Sequence, residues 1–218
     1  MIRVRMLAAW SCALVMLSAV GAAFAQDQVA RPDRPHWSLE IKGGRFFPDL
    51  DNWKEFYGND STTQLGLGFG YKVLRQLEVG AEASFIRDKG VGFLPLNQMP
   101  GGEVTWTLVP VDVFVLFRGV FNENQWVVPY IGGGWTRAFY KQEIKNQEDV
   151  EGKTDGYNAR LGIQLLIDNM VPGEANSAES RVGLDNTYLY LEAKTFSAKK
   201  NDVELGGTSY LLGILLEF

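Results

Sequence analysis

Residues Leu77–Phe85 read LEVGAEASF. Apolar or small side chains alternate in it with Glu78, Gly80, Glu82 and Ser84. Successive side chains of a β-strand point to opposite faces of a sheet, whereas a helix has a period of 3.6 residues. The period of two therefore predicts a strand with one apolar face and one polar face.

Seven further segments carry the same kind of pattern along the chain. With the first, the predicted strands lie in residues 37–44, 64–71, 77–85, 109–117, 126–140, 157–165, 189–194 and 209–218. The segment 126–140 has apolar residues or glycine on both faces, and the phase of 109–117 changes near Pro110, where we expect a bulge. An even number of antiparallel strands lets an up-and-down sheet close on itself and lose its edges.

The two faces of these strands indicate which solvent surrounds them. The apolar face carries Leu, Val, Ile, Ala and aromatic residues but no Lys or Arg, whereas the other face combines charged residues with glycine. Each Lys or Arg facing lipid would cost about 2–4 kcal/mol at the bilayer midplane. We therefore predict an all-β protein, an eight-stranded antiparallel up-and-down transmembrane β-barrel. The alternative is a soluble, lipocalin-like barrel with its apolar face inside.

The charged face would then point into the barrel. An eight-stranded barrel is only wide enough to be filled by side chains, and buried charges need partners. We predict a structural network of ion pairs across the interior, and the alternative is a path for protons or ions. The predicted network consists of Glu40, Lys42, Glu78, Glu82, Arg160, Glu192 and Lys194.

The first 25 residues have the pattern of an export signal. Two arginines precede the apolar run Met6–Gly21, and Ala23-Phe24-Ala25 fits a cleavage site. We predict cleavage after Ala25, which leaves one barrel domain over residues 26–218; the alternative is an uncleaved anchoring helix. Cys12 lies within this leader, so the mature chain would contain no cysteine.

Composition excludes several other classes of protein. The net charge of −5 argues against a general nucleic-acid surface, which needs clustered Lys and Arg. One cysteine and one histidine are too few for a Cys/His metal site, and the spacing of Asp49, Asp51 and Asp60 fits no defined calcium loop. We expect no cofactor and no metal.

The connections predict how the barrel is oriented. Long polar or glycine-rich connections are expected at Pro48–Thr62, Ile86–Gly102, Lys141–Thr154 and Ser197–Gly206, and short ones at Val73–Gln76 and Gly119–Gln125. Long loops outside and short periplasmic turns are typical of outer-membrane barrels, although Asp168–Asn186 is a long connection on the short-turn side. An interfacial aromatic girdle is expected on the periplasmic side, from Trp37, Tyr71, Phe117, Trp126 and Phe218.

Two outer connections carry apolar side chains. The first is expected to form a short helix, with Asp51 as its N-cap and Gly58 at its end. Its apolar side, together with the second loop, could bind a ligand, lipopolysaccharide or a partner, or could simply pack over the barrel rim. The residues of this candidate patch are Trp53, Phe56, Tyr57, Phe93 and Leu94.

The end of the chain resembles that of bacterial outer-membrane barrels, which finish in an aromatic residue preceded by alternating apolar residues. The matching positions are Tyr210, Leu212, Ile214, Leu216 and Phe218. Leu108–Val111 and Val128–Gly134 also resemble small barrels of the OmpW/OmpA-like superfamily. The resemblance implies that the last strand is read by the barrel-assembly machinery, and it specifies architecture, not activity.

The predicted function is non-enzymatic. Small outer-membrane barrels that modify lipids use a His and a Ser near the outer leaflet, whereas His36, the only histidine, lies at the periplasmic start of the first strand. We expect a monomeric outer-membrane scaffold whose loops contact lipid, lipopolysaccharide or partners, and no nucleic acid. The alternatives are an OmpW-like passage for small hydrophobic molecules and, less favoured, a lipid-modifying enzyme.

Overall fold

The computed structural model describes residues 35–50, 53–93, 100–122, 125–144, 149–168, 184–200 and 203–218. Its elements, in chain order, are β1 (Trp37–Pro48), α1 (Trp53–Tyr57), β2 (Thr62–Lys72), β3 (Leu77–Phe93), β4 (Pro100–Arg118), β5 (Val127–Ile144), β6 (Val150–Leu166), β7 (Asn186–Lys200) and β8 (Val203–Glu217). Each strand runs antiparallel to its neighbours in sequence, and β1 pairs with β8. The predicted closed barrel of eight antiparallel strands is confirmed. The predicted leader lies outside the described residues.

Apolar side chains point outward from every strand. One example from each strand is between 37% and 59% exposed: Ile41, Leu67, Val79, Val115, Ile131, Leu161, Leu191 and Ile214. The charged residues Glu40, Glu82 and Arg160 on these strands point inward and are buried. On the outer face, Arg137 and Asp155 pair with each other at 2.7 Å. An apolar belt around the whole circumference would be costly in water, and it is the surface that lipid tails cover.

The two ends of the barrel differ in how the chain closes them. At the lower end, which holds the chain terminus at Phe218, the amide of Trp37 donates to the carbonyl of Phe218 (2.9 Å). The same end has a tight β2–β3 turn, in which Leu74 and Leu77 exchange backbone hydrogen bonds of 3.1 and 3.2 Å. The short lower turns are as predicted. The long β6–β7 connection between Leu166 and Asn186 also lies there, although residues 169–183 are outside the described part.

At the upper end the strands run further than the sequence predicted. β3 continues to Phe93 and β4 begins at Pro100, so much of the connection predicted at Ile86–Gly102 is paired strand. Likewise, β7 and β8 pair as far as Lys200 and Val203, inside the connection predicted at Ser197–Gly206. These predicted loop lengths were wrong because, beyond the apolar belt, the alternation of polar and apolar residues fades while backbone pairing continues.

The bulge predicted near Pro110 is also wrong. Pro110 pairs with Ala138 in an unbroken β4–β5 register, and the pairing of β3 with β4 keeps one register on both sides of it. The register of β3 and β4 shifts instead between Val91 and Phe93. The apparent change of phase arises because the inward face of β4 is itself apolar on both sides of Asp112, so both faces look alike in sequence.

The helix α1 lies in the connection between β1 and β2. It ends at Gly58, whose φ of 72° is left-handed and whose amide donates to the carbonyl of Lys54 (2.8 Å). A glycine in this conformation is a common helix stop, so the predicted helix and its end are confirmed, while Asp51 lies outside the described residues. Among the helices that the structure describes, none is long and apolar enough to cross a membrane.

Candidate functional site

The interior of the barrel is built in three layers, which we call upper, central and lower. The upper layer is apolar and contains Phe46, Trp53, Ile86, Trp106, Leu108, Ala138, Phe196, Ala198 and Leu205. The central layer is charged and contains Glu40, Lys42, Glu82, Asp112, Arg160, Glu192 and Lys194. The lower layer combines an apolar cluster with the buried charges Lys72, Glu78, Arg118 and Glu217.

Glu82 is the hub of the central layer. Its carboxylate lies 2.5 Å from Lys42 Nζ, 2.7 Å from Arg160 Nη1 and 2.8 Å from Lys194 Nζ. Asp112 pairs with both Lys194 and Arg160, the latter at 3.4 Å. Every residue in this group is at most 3% exposed, so each charge depends on its partners and not on water.

Two further carboxylates complete the layer. Lys42 Nζ lies 2.9 Å from Glu192 Oε1 and 3.3 Å from Glu40 Oε2. The Tyr130 hydroxyl donates to Glu192 Oε2 (2.9 Å), and the Tyr190 hydroxyl donates to Glu40 Oε2 (3.2 Å). The layer therefore links opposite walls of the barrel through charge-assisted hydrogen bonds, which are stronger than neutral ones.

The lower layer has its own ion pairs. Glu217 Oε1 accepts contacts from Lys72 Nζ (2.5 Å) and Arg118 Nη1 (2.8 Å), and Arg118 lies 3.7 Å from Glu78. Arg118 also donates twice to Gln164 Oε1, at 2.7 and 3.1 Å. Of the residues predicted for the network, Glu78 is thus placed here and not in the central layer.

The predicted network lacked Lys72, Asp112, Arg118 and Glu217, which are buried and ion-paired. Lys72 and Arg118 stand next to the predicted turns, where the alternating pattern is hard to follow. Both nevertheless continue the inward phase of their strands, and that phase was the signal that could have identified them.

The space between the layers is filled by large side chains that lie over glycines. A Cβ atom added at Gly162 would lie 2.5 Å from the Tyr130 hydroxyl oxygen, and one added at Gly213 would lie 2.6 Å from the Tyr190 ring. These glycines make room for the two rings that reach the central carboxylates. This packing explains why glycines share the inward face with charged residues.

Trp53 closes the upper layer from above. It is 6% exposed, stacks on Tyr57 (ring centroids 3.9 Å apart) and meets Trp106 edge to face at 5.0 Å. Trp53 was predicted either to contribute to a binding patch or to pack over the barrel rim, and its ring is buried in the upper layer because α1 folds inward over the barrel. Tyr57 is half-buried beside it. The side chains of Phe56 and Phe93, and all of Leu94, lie outside the described residues.

His36 lies at the lower end, as its position in sequence predicted. Its Nδ1 is 3.3 Å from the carbonyl oxygen of Lys72, and its ring stacks on Tyr71 at 5.7 Å. Trp37 packs on the same ring at 4.7 Å, within the predicted lower girdle. In the part of the chain that the structure describes, no group of three His, Cys, Asp or Glu side chains is arranged to hold a metal ion.

The proposed assembly signal lies on the outer face of β8. Tyr210, Leu212, Ile214 and Phe218 are at least 42% exposed and point outward with Leu216, while the residues between them point inward. The geometry leaves this row accessible from the membrane side. Its reading by the assembly machinery stays a prediction.

A closed eight-stranded barrel with an apolar outer belt and a charged, filled interior defines the class of small outer-membrane barrels. The sequence matches the family "Outer membrane protein beta-barrel domain" over residues 11–218. The chain belongs to this family.

Solved structures with the same fold are also barrels of this kind. Neisserial surface protein A matches with a TM-score of 0.55 and 11% identity, covering 84% of this chain and 97% of that one. The outer membrane protein OprG from Pseudomonas aeruginosa matches with a TM-score of 0.56 and 15% identity, covering 85% and 97%. Ail, the attachment invasion locus protein of Yersinia pestis, has been solved in complex with the heparin analogue sucrose octasulfate. It matches with a TM-score of 0.51 and 14% identity, covering 85% of this chain and 100% of that one. Among curated proteins, none matches significantly. The family points to the bacterial outer membrane, and these neighbours share its fold.

Proposed function

We propose that this protein is a non-enzymatic outer-membrane scaffold whose upper end contacts lipopolysaccharide or partner molecules outside the cell. The observation that carries the proposal is the interior: two layers of mutually paired charges and an apolar layer under Trp53 fill the barrel along its length. A protein with a filled interior acts through its surface. Because short turns of outer-membrane barrels lie in the periplasm, the upper end is assigned to the cell exterior.

A neighbour of the same fold supports contact with polyanions. Ail has been crystallised with sucrose octasulfate, a sugar that carries many negative charges. Lipopolysaccharide, whose sugars carry phosphate groups, presents related chemistry at the surface where this barrel would stand. Ail shares only 14% identity with this chain, so the support lies in the common architecture.

The two alternative functions make different demands on the barrel. A passage for small hydrophobic molecules needs an opening, and it predicts that Phe93→Asp or Leu94→Asp abolishes uptake. A lipid-modifying enzyme needs a catalytic histidine near the outer leaflet, whereas His36 contacts the lower backbone. Lipid hydrolysis that disappears in His36→Ala would favour the enzyme.

The proposal is tested by placing the full chain in nanodiscs of zwitterionic phospholipid and titrating purified lipopolysaccharide. Saturable binding that weakens with salt is expected, because exposed charges are screened. Uptake of small hydrophobic molecules by intact cells is measured beside it, with and without the protein. The absence of saturable binding, or uptake that depends on Phe93, would overturn the scaffold proposal.

A further inference from the structure

One row of outward-facing side chains crosses five neighbouring strands near the upper border of the apolar belt. Arg45 of β1 pairs with Thr63 of β2, and Arg87 of β3 pairs with Thr107 of β4, which in turn pairs with Lys141 of β5. The link between β2 and β3 is fixed one step away by the pair Gln64–Ile86 and by the Thr62 hydroxyl, which donates to the Arg87 carbonyl (3.0 Å). We call Arg45, Thr63, Arg87, Thr107 and Lys141 the basic row.

The basic row borders an apolar one. One step lower, the outward positions on the same five strands are Gly43, Leu65, Phe85, Val109 and Phe139. Leu65 and Phe85 are 60% and 47% exposed. Positive charge and hydroxyl groups directly above an apolar surface match a lipid that carries phosphate above its acyl chains.

The two arginines of the row are available for an outside partner. Arg45 is exposed, and its only described side-chain contact is with the Thr63 hydroxyl at 3.4 Å. Arg87 is also exposed, and the salt bridges of the described residues include neither arginine. Arg137, on the same outer face, is instead neutralised by Asp155 at 2.7 Å. Lys141 is shared between Glu143 (2.8 Å) and Asp149 (2.9 Å), so the row is most strongly positive at its arginine end.

At its lysine end, the row opens into a groove of about 460 Å³ on the outside of β4, β5 and β6. Val109 and Phe139 form the apolar part of its lining, and Thr107, Lys141, Lys153 and the carboxylate of Glu151 form polar parts. A groove with both kinds of surface at the edge of the belt is suited to the junction between the headgroup and the acyl chain of a lipid.

We propose that the basic row binds the phosphate groups of lipid A, the membrane anchor of lipopolysaccharide, with Arg45 and Arg87 as the main ligands. Arginine presents a planar fork of donors that matches phosphate oxygens, and a threonine hydroxyl can donate beside it. The inference rests on the proposed function for the orientation of the barrel, because lipopolysaccharide occupies only the outer leaflet. Beyond that function, the inference names the residues that bind lipid A and the phosphate groups that they recognise.

The test is the binding of lipid A to the full chain in zwitterionic detergent micelles. The Arg45→Gln/Arg87→Gln double variant is expected to bind about 30-fold more weakly, since each basic group near an anionic lipid surface contributes about 1 kcal/mol. Arg75→Gln, in the lower β2–β3 turn, makes the same change of charge at the other end and is the matched control. Its affinity should equal that of the unaltered chain, and Arg45→Lys/Arg87→Lys should recover part of the loss.

A second probe separates phosphate recognition from general adhesion to lipid. Dephosphorylated lipid A should bind the unaltered chain as weakly as phosphorylated lipid A binds the double variant. If the double variant binds lipid A as tightly as the unaltered chain does, the basic row is not the binding site. The proposal that the protein contacts lipopolysaccharide would still stand. If phosphatidylglycerol displaces bound lipid A as effectively as free lipid A does, the proposal that the row recognises lipid A is wrong. If the unaltered chain binds neither lipid A nor lipopolysaccharide, the proposed function fails as well. Each variant is checked for folding by its boiling-dependent mobility in SDS.

Discussion

The charges inside the barrel and those on its upper outer face are the same residue types in opposite situations. Lys42 and Arg160 are buried, and each contacts at least two carboxylates at distances of 2.5 to 3.4 Å. Arg45 and Arg87 are exposed and lie beside threonines. The comparison shows that strand phase decides whether a cation is buried among carboxylates or exposed, and that neighbouring carboxylates decide which exposed cations are neutralised.

The physical reason is the dielectric environment. A buried charge that loses its partner is still desolvated but no longer has the attraction that offset this cost. An exposed pair contributes little because water already stabilises both ions. Charge changes inside should therefore act on the free energy of unfolding, and charge changes on the basic row should act on binding.

The largest effect is expected for Glu82→Gln. The amide keeps the shape of the side chain but removes the negative charge shared by Lys42, Arg160 and Lys194. We expect a loss of about 3–5 kcal/mol in the free energy of unfolding, measured by urea denaturation in lipid vesicles. The control is Glu103→Gln, whose partner Lys89 lies 3.5 Å away in an exposed pair, and which should lose at most about 1 kcal/mol. Equal losses in both variants would contradict the distinction.

The apolar belt can be compared with the basic row on a single strand. Leu67, at the middle of β2, is 56% exposed on the outer face, and Thr63 lies on the same face at the row. Leu67→Lys is expected to cost about 2–4 kcal/mol in vesicles and Thr63→Lys about 0–1 kcal/mol. The same denaturation assay measures both. A soluble barrel would tolerate the two changes alike, and that result would remove the membrane assignment.

The parts of the fold that the sequence predicted are those with a strong contrast between faces. Eight strands, closure and the inward position of Glu82 follow from alternation between an apolar belt and charged or glycine positions. The upper extensions were missed because strands outside lipid have no such contrast. Arg87 and Lys141 of the basic row were accordingly read as loop residues. The apolar side of the first connection allowed Trp53 to pack over the barrel rim, but its contact with Trp106 is between residues far apart in sequence and is not visible in a local pattern.

The end of α1 at Gly58 tests how the helix above the upper layer is held in place. A Cβ atom at Gly58 would meet nothing within 4 Å, so Gly58→Ala tests only the left-handed backbone at φ 72°. We expect a local cost of about 1 kcal/mol, seen as roughly fivefold faster hydrogen exchange of the residue-58 amide. Gly58→Asn, which tolerates this conformation better, should show a smaller change. An unchanged rate in Gly58→Ala would mean that the helix end is not held in this form.

Tyr57 gives the smallest and most local effect. Burial, together with the nearby carboxylate of Asp88, raises its pKa to about 12 from the ordinary 10. Because the folded pKa is raised, the stabilisation from neutral Tyr57 is complete below pH 10 and is lost as the pH rises through about 12. The titration of tyrosinate absorbance in the unaltered chain, minus that of Tyr57→Phe, should isolate this transition. A difference curve centred near pH 10 would show that Tyr57 is not packed against Trp53.

Two ion-paired layers and an apolar layer occupy the interior, and we expect them to leave no water-filled path through the barrel. Planar-bilayer conductance of the purified full chain tests this most directly. The account predicts traces without channel steps, in both polarities of applied voltage. Stable conductance steps that change in size in Glu82→Gln would place a water-filled path through the central layer and contradict it.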